Sequence, residues 1–174
     1  MSTNTQSSFY RDFKIGLDYL KEQEGDELHR CLYFSNVISL MEKYLLDLFI
    51  YEISTDRNKI VKLATHPKFK AQSIKLTYAL NNSMEEYIIH SMKNIVWHRL
   101  NDIDIFYKAV LNIKFNLSSE LLENLNIRHH IVHRNSYDIE GCKVNISKET
   151  LHHCICNVDL FISQIDKKYY QENS

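Results

Sequence analysis

Arg128, His129, His130, His133 and Arg134 fall within the run "NLNIRHHIVHRNSYD", Asn124 to Asp138, of a 174-residue chain whose formal net charge is only -1. Arginine is always charged and grips phosphate through two parallel hydrogen bonds, whereas histidine titrates near neutrality and can move a proton. Together they can cleave RNA without a metal. A base takes the proton of a ribose 2′-hydroxyl, that oxygen attacks its own phosphate, and a fixed cation stabilises the charge that develops. Arg128 is the candidate for the cation and His133 for the base or acid. His129 and Asn135 are supporting candidates, and His130 and Arg134 could contact the RNA backbone, with a solvated face the stronger expectation for His130.

These residues must be placed by a helix. At about 100° per residue, Leu121, Leu125, Arg128 and Val132 share one side, so Arg128 stands in a seam otherwise built from Leu and Val. A guanidinium there must reach an acidic partner or open into a polar cleft. His133, five positions on, lies about 140° further round. The two can converge only if the helix ends or distorts at His133, or if a second subunit contributes one of them. Asn135, Ser136 and Gly141 are turn formers, so a helix end is expected nearby.

Metal chemistry has a weaker case. His129 and His133 are four apart, a spacing that can hold one metal, and His152, His153, Cys154 and Cys156 add ligand types. Cys154 falls on the apolar stripe of the last helix, where a small buried thiol is ordinary, and no CxxC pair is present. No metal and no cofactor is therefore assigned.

The composition is 44% hydrophobic with eleven Tyr, eight Phe, three Gly and one Pro, rich enough in core formers to exclude disorder and too poor in turn formers for a many-stranded β protein. An all-α chain of about five to seven helices, in a single domain spanning residues 1–174, is the expectation. Apolar spacing predicts helices over Ser8–Glu24 and Asp26–Ile53, and a short one from Thr55 ended by Pro67. Further helices are expected from Ile74, with a break at "NNS", and from Ser83, whose spacing to Glu86 suits a capping box. Another runs through the middle of "LNDIDIFYKAVLNIKFNL". Ser118 or Ser119 caps the helix carrying the basic run, and Ser147 caps a strictly amphipathic last helix. Between these two, "RNSYDIEGCKVNIS" reads as a loop or short β-hairpin. Trp97, His98, Arg99 and Tyr107 could stack on bases, but core packing is the better expectation for Trp97.

The pI near 6.7 excludes a globally basic nucleic-acid binder and leaves room for a local basic cleft. The run "LLDLFIYEI" is broken by Asp47 and Glu52 and falls short of the roughly 20 residues of a membrane span. Four cysteines without a framework and the opening "MSTNTQSSFYRDF" point to a soluble, cytoplasmic protein with no membrane partner.

"RHHIVHRN", just before a loop and a final amphipathic helix, resembles the arginine, four-to-six residues, histidine signature of the HEPN family, with Arg128 and His133 in the matching positions. An early long helix of the "FSNVISLMEKYLLDLF" kind and the "D..G..V.IS" connector agree with it, so the resemblance covers the chain from about Phe9 to the end. Two positions depart: His129 stands where the family often has Asn or Asp, and Ser136 where a glycine often follows "HRN". The resemblance implies a HEPN-like helical bundle, a homodimer with two motifs facing each other across a composite cleft, and a metal-independent endoribonuclease. Such enzymes serve toxin-antitoxin, antiviral or RNA-processing systems. Its products would be a cyclic phosphate and a free 5′-hydroxyl. Two other readings are a non-catalytic module that binds RNA, a nucleotide or a protein, and a toxin silenced by an antitoxin or other regulatory protein, with Tyr137 the tyrosine open to modification.

Overall fold

In the computed structural model, residues 6–70, 77, 80 and 83–172 are described. They hold seven helices of nine residues or more and one four-residue helix, with no strand among them. In chain order these are α1 (Ser8–Lys21), α2 (Glu27–Thr55), α3 (Arg57–Thr65), α4 (Pro67–Lys70), α5 (Met84–Lys93), α6 (Leu100–Leu111), α7 (Ser119–Arg134) and α8 (Lys148–Glu172). The all-α expectation is met. No helix among the described residues is long and apolar enough to cross a membrane.

The caps follow local chemistry. The Ser83 hydroxyl accepts from the Glu86 amide while the Glu86 carboxylate accepts from the Ser83 amide, a complete capping box. Ser118 rather than Ser119 caps α7, accepting from the Leu121 amide at 3.1 Å, and Ser147 accepts from Thr150 at the start of α8. Asp56, not Thr55, caps α3. The short carboxylate of Asp56 reaches the Asn58 amide, while the Thr55 hydroxyl is turned back onto the Tyr51 carbonyl. His66, held extended (ψ 136°) as a residue before proline must be, ends α3, and Pro67 opens the short α4. The break expected at "NNS" and the helix start at Ile74 lie outside the described residues.

The chain divides into two compact units, residues 1–44 with 115–174, and residues 45–114. In the first, α8 packs against α1 and α7. Tyr10, Phe13, Leu17 and Leu20 of α1 and Leu151, Cys154, Ile155, Val158, Phe161, Ile162 and Ile165 of α8 are buried, as are Phe34, Val37, Ile38 and Met41 of α2. Each fully buried side chain of this kind stabilises by about 1.5–3 kcal/mol before the entropy of ordering it. One polar knot lies inside that core. Asp166, 2% exposed, accepts from the Ser7 amide (3.1 Å), the Ser7 hydroxyl and the Tyr44 hydroxyl (3.0 Å), joining the start of α1, the middle of α2 and the end of α8.

In the second unit α3 packs against α4, α5 and α6. Phe49, Trp97 and Tyr107 cluster with ring centroids 5.4–5.8 Å apart, and the Tyr107 hydroxyl donates to the Leu45 carbonyl at 2.7 Å. Trp97 is buried and its indole N–H donates to the Met92 carbonyl. That settles Trp97 and Tyr107 as core residues, so they offer no stacking face to a base.

Candidate functional site

The basic run occupies the last turns of α7. Ser118 sets the start of this helix, and two successive left-handed residues stop it: Asn135 (φ 51°, ψ 43°) and Ser136 (φ 65°). Their amides both donate to the His130 carbonyl. Asparagine tolerates that conformation because its short side chain bonds locally, whereas serine pays a steric penalty that glycine would not. Beyond the stop, a tight loop closes through a single antiparallel bridge, Tyr137 to Lys143, where a short hairpin was expected. Asp138 organises it, its carboxylate accepting from the amides of Glu140 and Cys142.

α7 remains regular through Arg134. Arg128 and His133 are therefore separated by about 7.5 Å along the axis and about 140° around it on one chain, and the helix end comes one residue too late to bring them together. Arg128 turns towards α2. Its Nη2 lies 3.8 Å from Glu42 Oε2, with the two side chains only 15% and 20% exposed. That is an ion pair without a hydrogen bond, and the Arg128 Nε is buried with no hydrogen-bond partner. One turn earlier on the same side, the Asn124 Nδ2 is also buried and unpartnered. A buried donor left unmade costs about 1–3 kcal/mol, so this stripe of α7 carries hydrogen-bonding capacity that the chain itself does not use.

His133 and His129 lie on the exposed side, their ring centroids 4.9 Å apart. Arg134 and Asn135 are exposed as well. His130 is the correction among the site residues: it is only 8% exposed, and its Nδ1 is buried without a partner. Its carbonyl accepts from the two amides of the closing turn, and its ring is buried where helical periodicity alone would leave it in water.

Glu42 and Asn124 were not singled out by spacing. A trace of Glu42 is visible in "FSNVISLMEKYLLDLF", where a carboxylate interrupts the apolar face running Ile38, Met41, Leu45. Its pairing to a residue 86 positions away was not.

Around the helix end, the loop and the first turns of α2 are tied by Lys143 to Glu27 (3.0 Å) and by Ser136 Oγ to Cys31 Sγ (3.8 Å). The Glu27 carboxylate bonded to Lys143 holds that ammonium above its ordinary range. A cavity of about 470 Å³ opens here, lined by Glu27, Leu28, Cys31, Asn135, Tyr137 and Lys143. Large apolar side chains are exposed nearby on the same elements: Leu28, Leu32, Val132, Tyr137 and Ile139.

Among the described residues no group of three or more His, Cys, Asp and Glu side chains is gathered around a common point. Cys154 is buried in the core, where burial pushes its thiol well above the ordinary range. Cys156 is exposed and its sulfur lies 3.5 Å from His152 Nε2. No protein-family model matches this chain, and no curated protein or solved structure does either.

Proposed function

We propose that this chain is a metal-independent endoribonuclease of the HEPN type, acting as a homodimer in which Arg128 of one copy and His133 of the other share one site. The observation that carries this reading is the regularity of α7 through Arg134. It leaves an arginine with unused donors and an exposed histidine on different faces of one helix, so a second copy is what can unite them. The exposed Leu28, Leu32, Val132, Tyr137 and Ile139 beside the helix end give such a copy apolar surface to cover.

In this site His133 takes the proton of the 2′-hydroxyl. The freed oxygen attacks the adjacent phosphorus, the bond to the 5′-oxygen breaks, and that oxygen leaves with a proton returned by a protonated histidine. Arg128 binds the phosphate and offsets the charge that grows on it. His129, beside His133, orients its ring, and Arg134 and Asn135 lie where the RNA backbone would pass. The system served is one of defence or toxin-antitoxin type, in the cytoplasm, with an antitoxin as the regulatory partner and the exposed Tyr137 as the point it would modify.

A second reading has its own observation. The Arg128–Glu42 pair is what a purely structural arginine would make, and it supports a helical RNA- or protein-binding module without turnover. Incubation with total RNA in EDTA separates the two. The enzyme cleaves and His133→Ala does not, with a loss of about 100- to 10,000-fold expected for a general base. Binding by the wild type without any cleavage refutes the enzyme.

A further inference from the structure

We propose that His129 and His133 form a two-histidine chelate for a divalent transition-metal ion that favours imidazole, such as zinc, nickel or copper(II). Both side chains are exposed, four residues apart on a regular stretch of α7. Their ring centroids are 4.9 Å apart with planes inclined at 48°. An ion about 2.0–2.1 Å from a ring nitrogen sits roughly 3.2 Å from that ring's centre, which places two rings on adjacent coordination positions about 4.5 Å apart in octahedral geometry and about 5.2 Å in tetrahedral. The observed spacing falls between the two. The pair also stands in the last turns of a sixteen-residue helix, where the carbonyl end of the macrodipole favours a cation.

Two protein ligands leave the other positions to water or to the same pair on a second copy. The ion adds no catalytic step. It occupies a ring nitrogen of His133, the group that must accept the 2′-hydroxyl proton, so binding switches cleavage off. That regulatory consequence rests on the ribonuclease reading, whereas the binding site does not.

The test is calorimetric titration of the full chain with nickel chloride at about pH 7.5, where unperturbed imidazole is mostly neutral. The His152–Cys156 pair, with its 3.5 Å separation, is a competing ligand set, so all variants carry His152→Ala and Cys156→Ser. One ion per chain, with affinity reduced at least tenfold by His129→Ala and equally by His133→Ala, is the expected result, with circular dichroism showing the helices retained. Unchanged nickel affinity in either variant overturns the site. In parallel, nickel should inhibit RNA cleavage, and inhibition should need at least tenfold more nickel in His129→Ala, measured against the metal-free rate of that variant. A chain that binds nickel through both histidines but never cleaves RNA keeps the metal site and removes the ribonuclease reading. Cleavage with no histidine-dependent nickel binding does the reverse.

Discussion

Glu42→Gln tests what the Arg128 side chain is held for. The charges are 3.8 Å apart in a setting where both side chains are at least four-fifths covered. At an effective dielectric constant of about 20, the Coulomb attraction is about 4 kcal/mol, and desolvation of both groups offsets most of it. A net loss of about 1–2 kcal/mol in folding stability is expected on neutralising Glu42, read as a lower urea midpoint by circular dichroism. The same substitution removes the carboxylate that competes with phosphate for the guanidinium. If roughly 1 kcal/mol of that competition is released, RNA affinity rises about fivefold in a filter-binding assay at fixed salt. Arg128→Ala should lower both stability and affinity. The reasoning fails if Glu42→Gln weakens folding while leaving RNA binding untouched, because the pair would then be structural and nothing more.

Three further outcomes follow from the same geometry. Ser136→Gly should stabilise the chain by roughly 0.5–1 kcal/mol, since relief of a left-handed serine at φ 65° outweighs the added freedom of the unfolded chain, and a lower urea midpoint would contradict it. Asp166→Ala removes one acceptor shared by the Ser7 and Tyr44 hydroxyls inside the core and should cost about 2–4 kcal/mol, seen as a large fall in thermal midpoint. Burial, with the Asp159 carboxylate next in effect, raises the Tyr10 phenol to about 12. Its stabilising effect is full below about pH 10, where folded and unfolded phenols are both protonated. It is lost as pH climbs towards 12, because only the unfolded chain releases the proton in that window. Tyr10→Phe should flatten that part of the alkaline stability curve, and an unchanged slope between pH 10 and 12 would count against it.

Much of the helical layout was legible because its determinants are local. Ser83 with Glu86, Ser118 and Ser147 each mark a helix start through a hydroxyl that reaches an amide two or three residues on. The three-four spacing from Leu151 to Ile165 leaves only one face of α8 to bury. Asn135 announced the end of α7 by its tolerance of the left-handed region. What stayed hidden depended on distant segments. His130 reads as solvated because nothing in "RHHIVHR" tells which side of the helix end the rest of the chain buries. The pairing of Glu42 is not legible because its partner is 86 residues away, and Thr55 and Asp56 are hard to tell apart as the cap of α3 because either side chain can reach an amide. The separation of Arg128 from His133 was computable from five residues of helix, but whether the helix would hold its form through His133 was not.

The shared site is tested most directly by mixing two inactive chains. Arg128→Ala and His133→Ala are purified separately, co-refolded in equal amounts and assayed for RNA cleavage in EDTA beside each homodimer. If Arg128 of one copy works with His133 of the other, each mixed dimer holds one intact site of two. Half of the dimers are mixed on random pairing, so activity should recover to about a quarter of wild type, far above the loss of about 100-fold or more expected for each variant alone. No recovery in a mixture shown by mass spectrometry to contain the mixed dimer would contradict the composite site.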